Sequence, residues 1–238
     1  MKSWARWNRG WSAEENSHGD LLNKYLYLCG RVDLRQIEKT IHYLIASGMA
    51  YATKTNPWLS FIYTSFQERL TFIAHTNIAR QAMMYGDITL AKICGTIAAD
   101  EKRHERAYTK IIEKLFEIDP NATMMSMAEM MRQRINMPVR VLFDGKDHHL
   151  AVHLNMVTQK TGSYTVKDYG DVVDFFIKRW RVEEITGLSD KGRQAQEYIC
   201  GFSASIRKLE ERVQQKSTSR ETSKMLHFSW IFNKEVKV

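Results

Sequence analysis

The stretch AADEKRHERAYTKIIEKL, residues 98–115, places Glu101 and His104 on the helical stripe that also carries Ile97, Tyr108, Ile111 and Leu115. A carboxylate that faces a core is costly unless something neutralises it. The same conflict recurs twice. One stripe reads Trp11, Glu15, His18, Leu22, Tyr25; another reads Phe61, Ser65, Glu68, Phe72, His75, with Thr71 beside it. Three acids on three inward faces restrict the chain to a fold in which helices pack face to face around a shared polar centre.

Composition agrees with that restriction. Only three prolines and twelve glycines among 238 residues favour long helices over strands and turns, so the expected class is all-α. The spacing predicts a helix over about 13–28 with Ser12 and Glu15 as a capping box, one after Asp33 ended by Gly48, one over about 59–85, and one capped by Asp87 and ended at Asp119-Pro120. Shorter helices follow in MSMAEMMRQRIN, DHHLAVHLNMVTQKTG, TVKDYGDVVDFFIKRWRVEEI and DKGRQAQEYICGFSASIRKLEERVQQ. The polar run QQKSTSRETSK reads as mobile, and HFSWIF as a segment that docks back on the body as a short strand. With no repeat and no linker, residues 1–238 read as a single domain.

Several function classes drop out. Lys and Arg outnumber Asp and Glu to give a net charge of +8, yet they are scattered without a basic run or a nucleic-acid motif. Cys29, Cys94 and Cys200 lie far apart with no CxxC pair, which fits a reducing compartment. No apolar run approaches the roughly 18 residues of a membrane span, and MKSWARWNRGWSAEEN has the character of neither a signal nor a transit peptide. P-loop, nucleotide-binding and GxSxG patterns do not occur.

The inward acids point to a metal. Burying three carboxylates uncompensated would cost about several kcal/mol each, no Lys or Arg shares the three stripes, and carboxylate oxygens with imidazole nitrogens suit iron or manganese. Di-iron and di-manganese carboxylate bundles use a Glu from each of two helices and a Glu-x-x-His from each of two others. This chain supplies Glu15/His18, Glu101/His104 and Glu68, five ligands of six. His148, His149 and His153 read as surface residues, His75 as a hydrogen-bonded core histidine, and MMSMAEMM as core filling.

The segments WSAEENSHGDLLNKYLYLCGRVD, FIYTSFQERLTFIAH, ICGTIAADEKRHERAYTKIIEKLFEIDP and FSWIF resemble the soluble plant acyl-(acyl carrier protein) desaturases, typified by the stearoyl enzyme, over essentially the whole chain. The resemblance implies a ferritin-like di-iron bundle with additional C-terminal helices, acting in the plastid stroma as a homodimer with neither nucleic-acid nor membrane partners. It implies that O2 and two electrons from ferredoxin are used to insert a cis double bond into an acyl chain on acyl carrier protein. By resemblance Glu15 and Glu101 bridge two Fe2+ ions, His18 binds one, and Glu68 with His104 bind the other. Thr71 then stands beside the oxygen site, Asp100 orients a metal-bound imidazole, Trp11 lies on an electron path, and Thr53, Ser60 and Phe61 lie near the acyl cavity.

Departures from the family pattern set further expectations. The family places another helix before Trp4, carrying the terminal glutamate for the iron of His18. Its absence from this sequence leads us to expect one under-coordinated iron, exposed apolar surface, and weak turnover. Ser17 stands where the family usually has arginine and Ser60 where the stearoyl enzyme has glycine, and the added bulk of Ser60 near the acyl cavity is expected to shift acyl length or double-bond position. A non-catalytic interaction protein and an iron-storing or otherwise oxidising ferritin-like protein are the alternatives.

Overall fold

The structure, a computed structural model, describes residues 2–48, 56–133, 138–219, 224–232 and 235–238. Among these described residues eight α-helices occur in chain order: α1 (Lys2–Cys29), α2 (Leu34–Ser47), α3 (Pro57–Met84), α4 (Ile88–Ile118), α5 (Pro120–Arg132), α6 (Leu150–Thr161), α7 (Val166–Arg179) and α8 (Asp190–Ser219). A two-stranded antiparallel ribbon closes the chain, β1 (Met225–His227) against β2 (Glu235–Lys237), with Leu226 opposite Val236.

Most helix boundaries are written in local chemistry. Asp33 accepts from the Gln36 amide, Asp87 from Leu90 and Asp119 from Ala122, so three helix starts carry an acidic cap on orphan N–H groups. Asn56 caps α3 with Pro57 as its first residue, and Thr165 with Asp168 forms a full capping box on α7. Gly86 takes a left-handed φ of 79° in the sharp turn between α3 and α4. That turn lays α3 and α4 antiparallel, and they form the most extensive helix pair among the described residues.

Three expectations are corrected. Ser12 and Glu15 do not start α1: the helix runs unbroken from Lys2, because Trp4, Trp7 and Trp11 at helical spacing give its first turns an aromatic face. The polar run after residue 213 is helical to Ser219, with 220–223 outside the described residues. HFSWIF docks back on the body as expected, but only His227 belongs to a strand, while Ser229 and Trp230 lie in a turn held by the Ser229 hydroxyl to Asp144 Oδ2 (2.6 Å) and Trp230 Nε1 to Thr40 Oγ1 (2.8 Å).

The main core lies behind α3 and α4. Phe66, Leu70, Ile112, Met124, Met127, Met131, Val172, Val173, Phe176 and Ile199 pack there fully buried, with Phe176 stacked on Trp180 at 4.5 Å. The methionine-rich segment is core filling, as expected. A second, smaller core of Leu150, Leu226 and Phe228 fixes the terminal ribbon to α6. No helix among the described residues is long and apolar enough to cross a membrane.

Candidate metal centre

Helices α1, α3 and α4 converge on one cluster. Glu15, Glu68, Glu101 and His104 each offer a ligand atom within 4.8 Å of the others, and Glu68, Glu101 and His104 are buried. His104 Nδ1 faces Glu15 Oε1 at 3.0 Å, Glu68 Oε2 at 3.2 Å and Glu101 Oε2 at 3.9 Å. His18 abuts this group, its Nδ1 at 3.4 Å from Glu101 Oε1 and 3.9 Å from Glu15 Oε2. All five ligands expected from the sequence therefore meet in one place.

Both histidines turn Nδ1 inward and Nε2 outward. His18 Nε2 meets Asp100 Oδ2 at 3.1 Å, and His104 Nε2 meets Glu14 Oε2 at 2.7 Å. Trp11 Nε1 donates to Glu68 Oε1 at 2.9 Å, so this indole holds a candidate ligand rather than only filling core. The Thr71 hydroxyl bonds the Gln67 and Glu68 carbonyls and also reaches the Glu101 carboxyl.

Electrostatics show what a metal would replace. Burial, a hydrogen bond with Glu68, and the charges of Glu15 and Glu68 push the Glu101 carboxyl up to about 9. Burial pulls His104 down, but hydrogen bonds to Glu15, Glu68 and Glu14 outweigh it and raise the imidazole to about 10. Protons thus supply the positive charge in the metal-free cluster. His18 Nδ1 is buried without a hydrogen-bond partner, and Glu15 Oε1 has only the ion-pair contact with His104 Nδ1 at 3.0 Å. An orphaned nitrogen within a mixed carboxylate and imidazole set is what a divalent transition metal satisfies, and the residues fit such an ion.

The surroundings are apolar on one side. Phe61 packs edge-on against Trp4 at 5.5 Å, Trp11 against Tyr108 at 5.7 Å, and Trp7 against His104 at 6.1 Å. Burial pushes the Tyr108 phenol up to about 12. His75 is held neutral, its imidazole lowered to about 4 by burial and by the charge of His18; it stands outside the ligand group as the sequence suggests, but contrary to the expected hydrogen bonding its buried Nδ1 has no partner.

Other expected positions fall elsewhere. Ser60 lies half-buried in the first turn of α3, its carbonyl accepting from Thr64, and Thr53 lies outside the described residues. His148 and His149 are exposed, and His153 pairs with Asp147 at 2.6 Å, so these three form no metal group among the described residues.

Three participants escaped sequence reading. Glu14, Arg103 and Trp7 flank the inward stripes and become visible only once α1 and α4 are in register. The repeat of Trp4, Trp7 and Trp11 at i, i+3 and i+7 was the available signal for Trp7.

A sequence model of the fatty acid desaturase family matches residues 1–232. The chain belongs to that family. It is 59% identical over 236 residues to the chloroplastic stearoyl-[acyl-carrier-protein] 9-desaturase of Ricinus communis and 60% identical over 234 residues to stearoyl-[acyl-carrier-protein] 9-desaturase 1 of Arabidopsis thaliana. Palmitoyl-[acyl-carrier-protein] 4-desaturase 3 of Ophrys sphegodes is 58% identical over 236 residues. These alignments cover 98% to 99% of this chain and 59% of each relative, so the chain spans about 59% of their length. The helical architecture of the described residues agrees with the ferritin-like bundle of that family.

Proposed function

We propose that this chain carries the metal centre of an acyl-(acyl carrier protein) desaturase, which removes one hydrogen from each of two adjacent methylenes to leave a cis double bond. The overall balance takes one O2, two electrons and two protons and yields two waters, with ferredoxin as the electron donor. The observation that carries the reading is the convergence of Glu15, Glu68, Glu101 and His104 from three helices, with His18 against them and its Nδ1 buried without a hydrogen-bond partner.

Glu15, His18, Glu68, Glu101 and His104 would together hold the iron. Bound iron would supply the activation of O2. The chain's own residues do the positioning. Asp100 accepts from His18 Nε2 and fixes which imidazole nitrogen is free to bind. Trp11 restrains Glu68 and stands on the proposed electron path. Thr71 offers a hydroxyl at Glu101, on the proposed oxygen side. The aromatic wall of Trp4, Trp7, Phe61 and Tyr108 offers an apolar surface that suits an alkyl chain. Thr53, Ser60 and Phe61 are assigned to the acyl cavity, with Ser60 affecting chain length or double-bond position.

The net charge of +8 supports docking of acidic carrier protein and acidic ferredoxin. A plastid setting is proposed from the chloroplastic relatives, and a homodimer from the family resemblance.

The test is to load the purified chain with Fe2+, add stearoyl or palmitoyl carrier protein, reduced ferredoxin and O2, and analyse the acyl products by mass spectrometry. A monoene lighter by two hydrogens, formed above the level of a Glu101→Ala control, is expected. Iron-loaded protein giving no more product than that control would refute the reading.

A further inference from the structure

Arg103 and Glu14 lie outside the set of metal ligands, yet a single guanidinium nitrogen connects both sides of the centre. Arg103 Nη2 sits 2.8 Å from Glu14 Oε1 and 3.0 Å from Asp100 Oδ1. The other oxygen of each carboxylate holds one histidine, Glu14 Oε2 at His104 Nε2 and Asp100 Oδ2 at His18 Nε2. The result is an unbroken chain from His104 through Glu14, Arg103 and Asp100 to His18.

We propose that Arg103 is a positioning residue for the metal centre: by holding Glu14 of α1 and Asp100 of α4 together, it orients both imidazoles as one unit with Nδ1 facing inward. The proposal rests on the metal-centre reading above. A carboxylate at Nε2 keeps a proton on that nitrogen and leaves Nδ1 as the donor atom toward a metal. Two carboxylates converging on one point would repel each other without a cation between them, and Arg103 is the cation there. Asp100 and Arg103 lie one turn apart on α4, so the clamp is preset on that helix and reaches across to α1 through Glu14.

Exposure separates positioning from folding. Arg103 is about half exposed and Glu14 41% exposed, and an ion pair so open to water contributes little to global stability. Loss of Arg103 should therefore disturb ligand orientation while leaving the bundle intact.

The experiment titrates the full chain with Co2+ and follows its visible absorption, which needs no turnover. Arg103→Gln is expected to weaken Co2+ binding about tenfold, the low end for removing a group behind the ligands. Arg103→Lys should restore most of the affinity, and the melting temperature of the metal-free variants should stay within about 2 °C of the parent. In a Glu14→Gln/Asp100→Asn background, Arg103→Gln should add no further loss, because its effect passes through those two carboxylates. Unchanged affinity in Arg103→Gln, or a full further loss in that background, would overturn the proposal while leaving the metal centre standing. A parent chain that binds no more Co2+ than Glu101→Ala would overturn both.

Discussion

Glu101 and His104 lie one helical turn apart and solve each other's problem only in part. Both carry protons at neutral pH in the metal-free fold, since their folded values, about 9 and about 10, stand above the ordinary 4.5 and 6.5. For groups raised in this way, the stabilising contribution is full below the unfolded value and is lost as pH climbs through the folded one. The metal-free protein should therefore lose thermal stability between about pH 6 and 9. Metal reverses the trend, because binding displaces those protons and is favoured as pH rises. Melting curves with and without Mn2+ across that range check this; a metal-free melting temperature that climbs steadily with pH would contradict it. Residue identity was largely legible in the sequence here: acids on apolar stripes named Glu15, Glu68 and Glu101 without any structure. Glu14 and Arg103 were not legible, because they lie beside the stripes on partly exposed faces and look like ordinary surface charges until α1 meets α4. Glu105 was missed for a related reason. It is buried one residue beyond His104, neutralised by Arg69 at 2.9 Å and Lys102 at 2.8 Å, and Arg69 also stacks on Phe175.

At the scale of elements, boundaries with a capping acid or a following glycine were readable, whereas α1 was not. Its capping-box pattern at Ser12 and Glu15 is locally sound, but the ring contacts of Trp4, Trp7 and Trp11 with Phe61, His104 and Tyr108 outweigh it, and Gly10 is carried inside the helix at the usual entropic cost. A Cβ at Gly10 would meet nothing within 4 Å. Gly10→Ala should accordingly stabilise the protein by about 0.5–1 kcal/mol; denaturant unfolding that shows a loss of that size would mean α1 is broken near residue 10. Helix α3 was legible in a different way. Its apolar residues run around most of the helix because α4, α5 and α7 cover it on several sides, so length and the Asn56-Pro57 start located it better than any single stripe.

Over the whole molecule, two cores divide the labour. The large one behind α3 and α4 sets the helix pair that carries three of the candidate ligands, and the small one seats the terminal ribbon. Phe176 is fully buried at the centre of the large core against Phe66 at 4.6 Å and Trp180. Phe176→Ala should cost about 3–5 kcal/mol, and a calorimetric loss below about 1 kcal/mol would show that this core does not support the bundle. The all-α class was evident from composition and period. The ribbon and its turn were not, because the Trp230 and Ser229 contacts join residues 190 and 85 positions apart.

The central claim is that three inward carboxylates share a metal ion. Anaerobic equilibration with Fe2+, followed by elemental analysis after desalting, measures it directly. Retained iron in the parent chain, with most of it lost in Glu101→Ala, is the expected result. Equal iron in both, or none in the parent, would contradict the account.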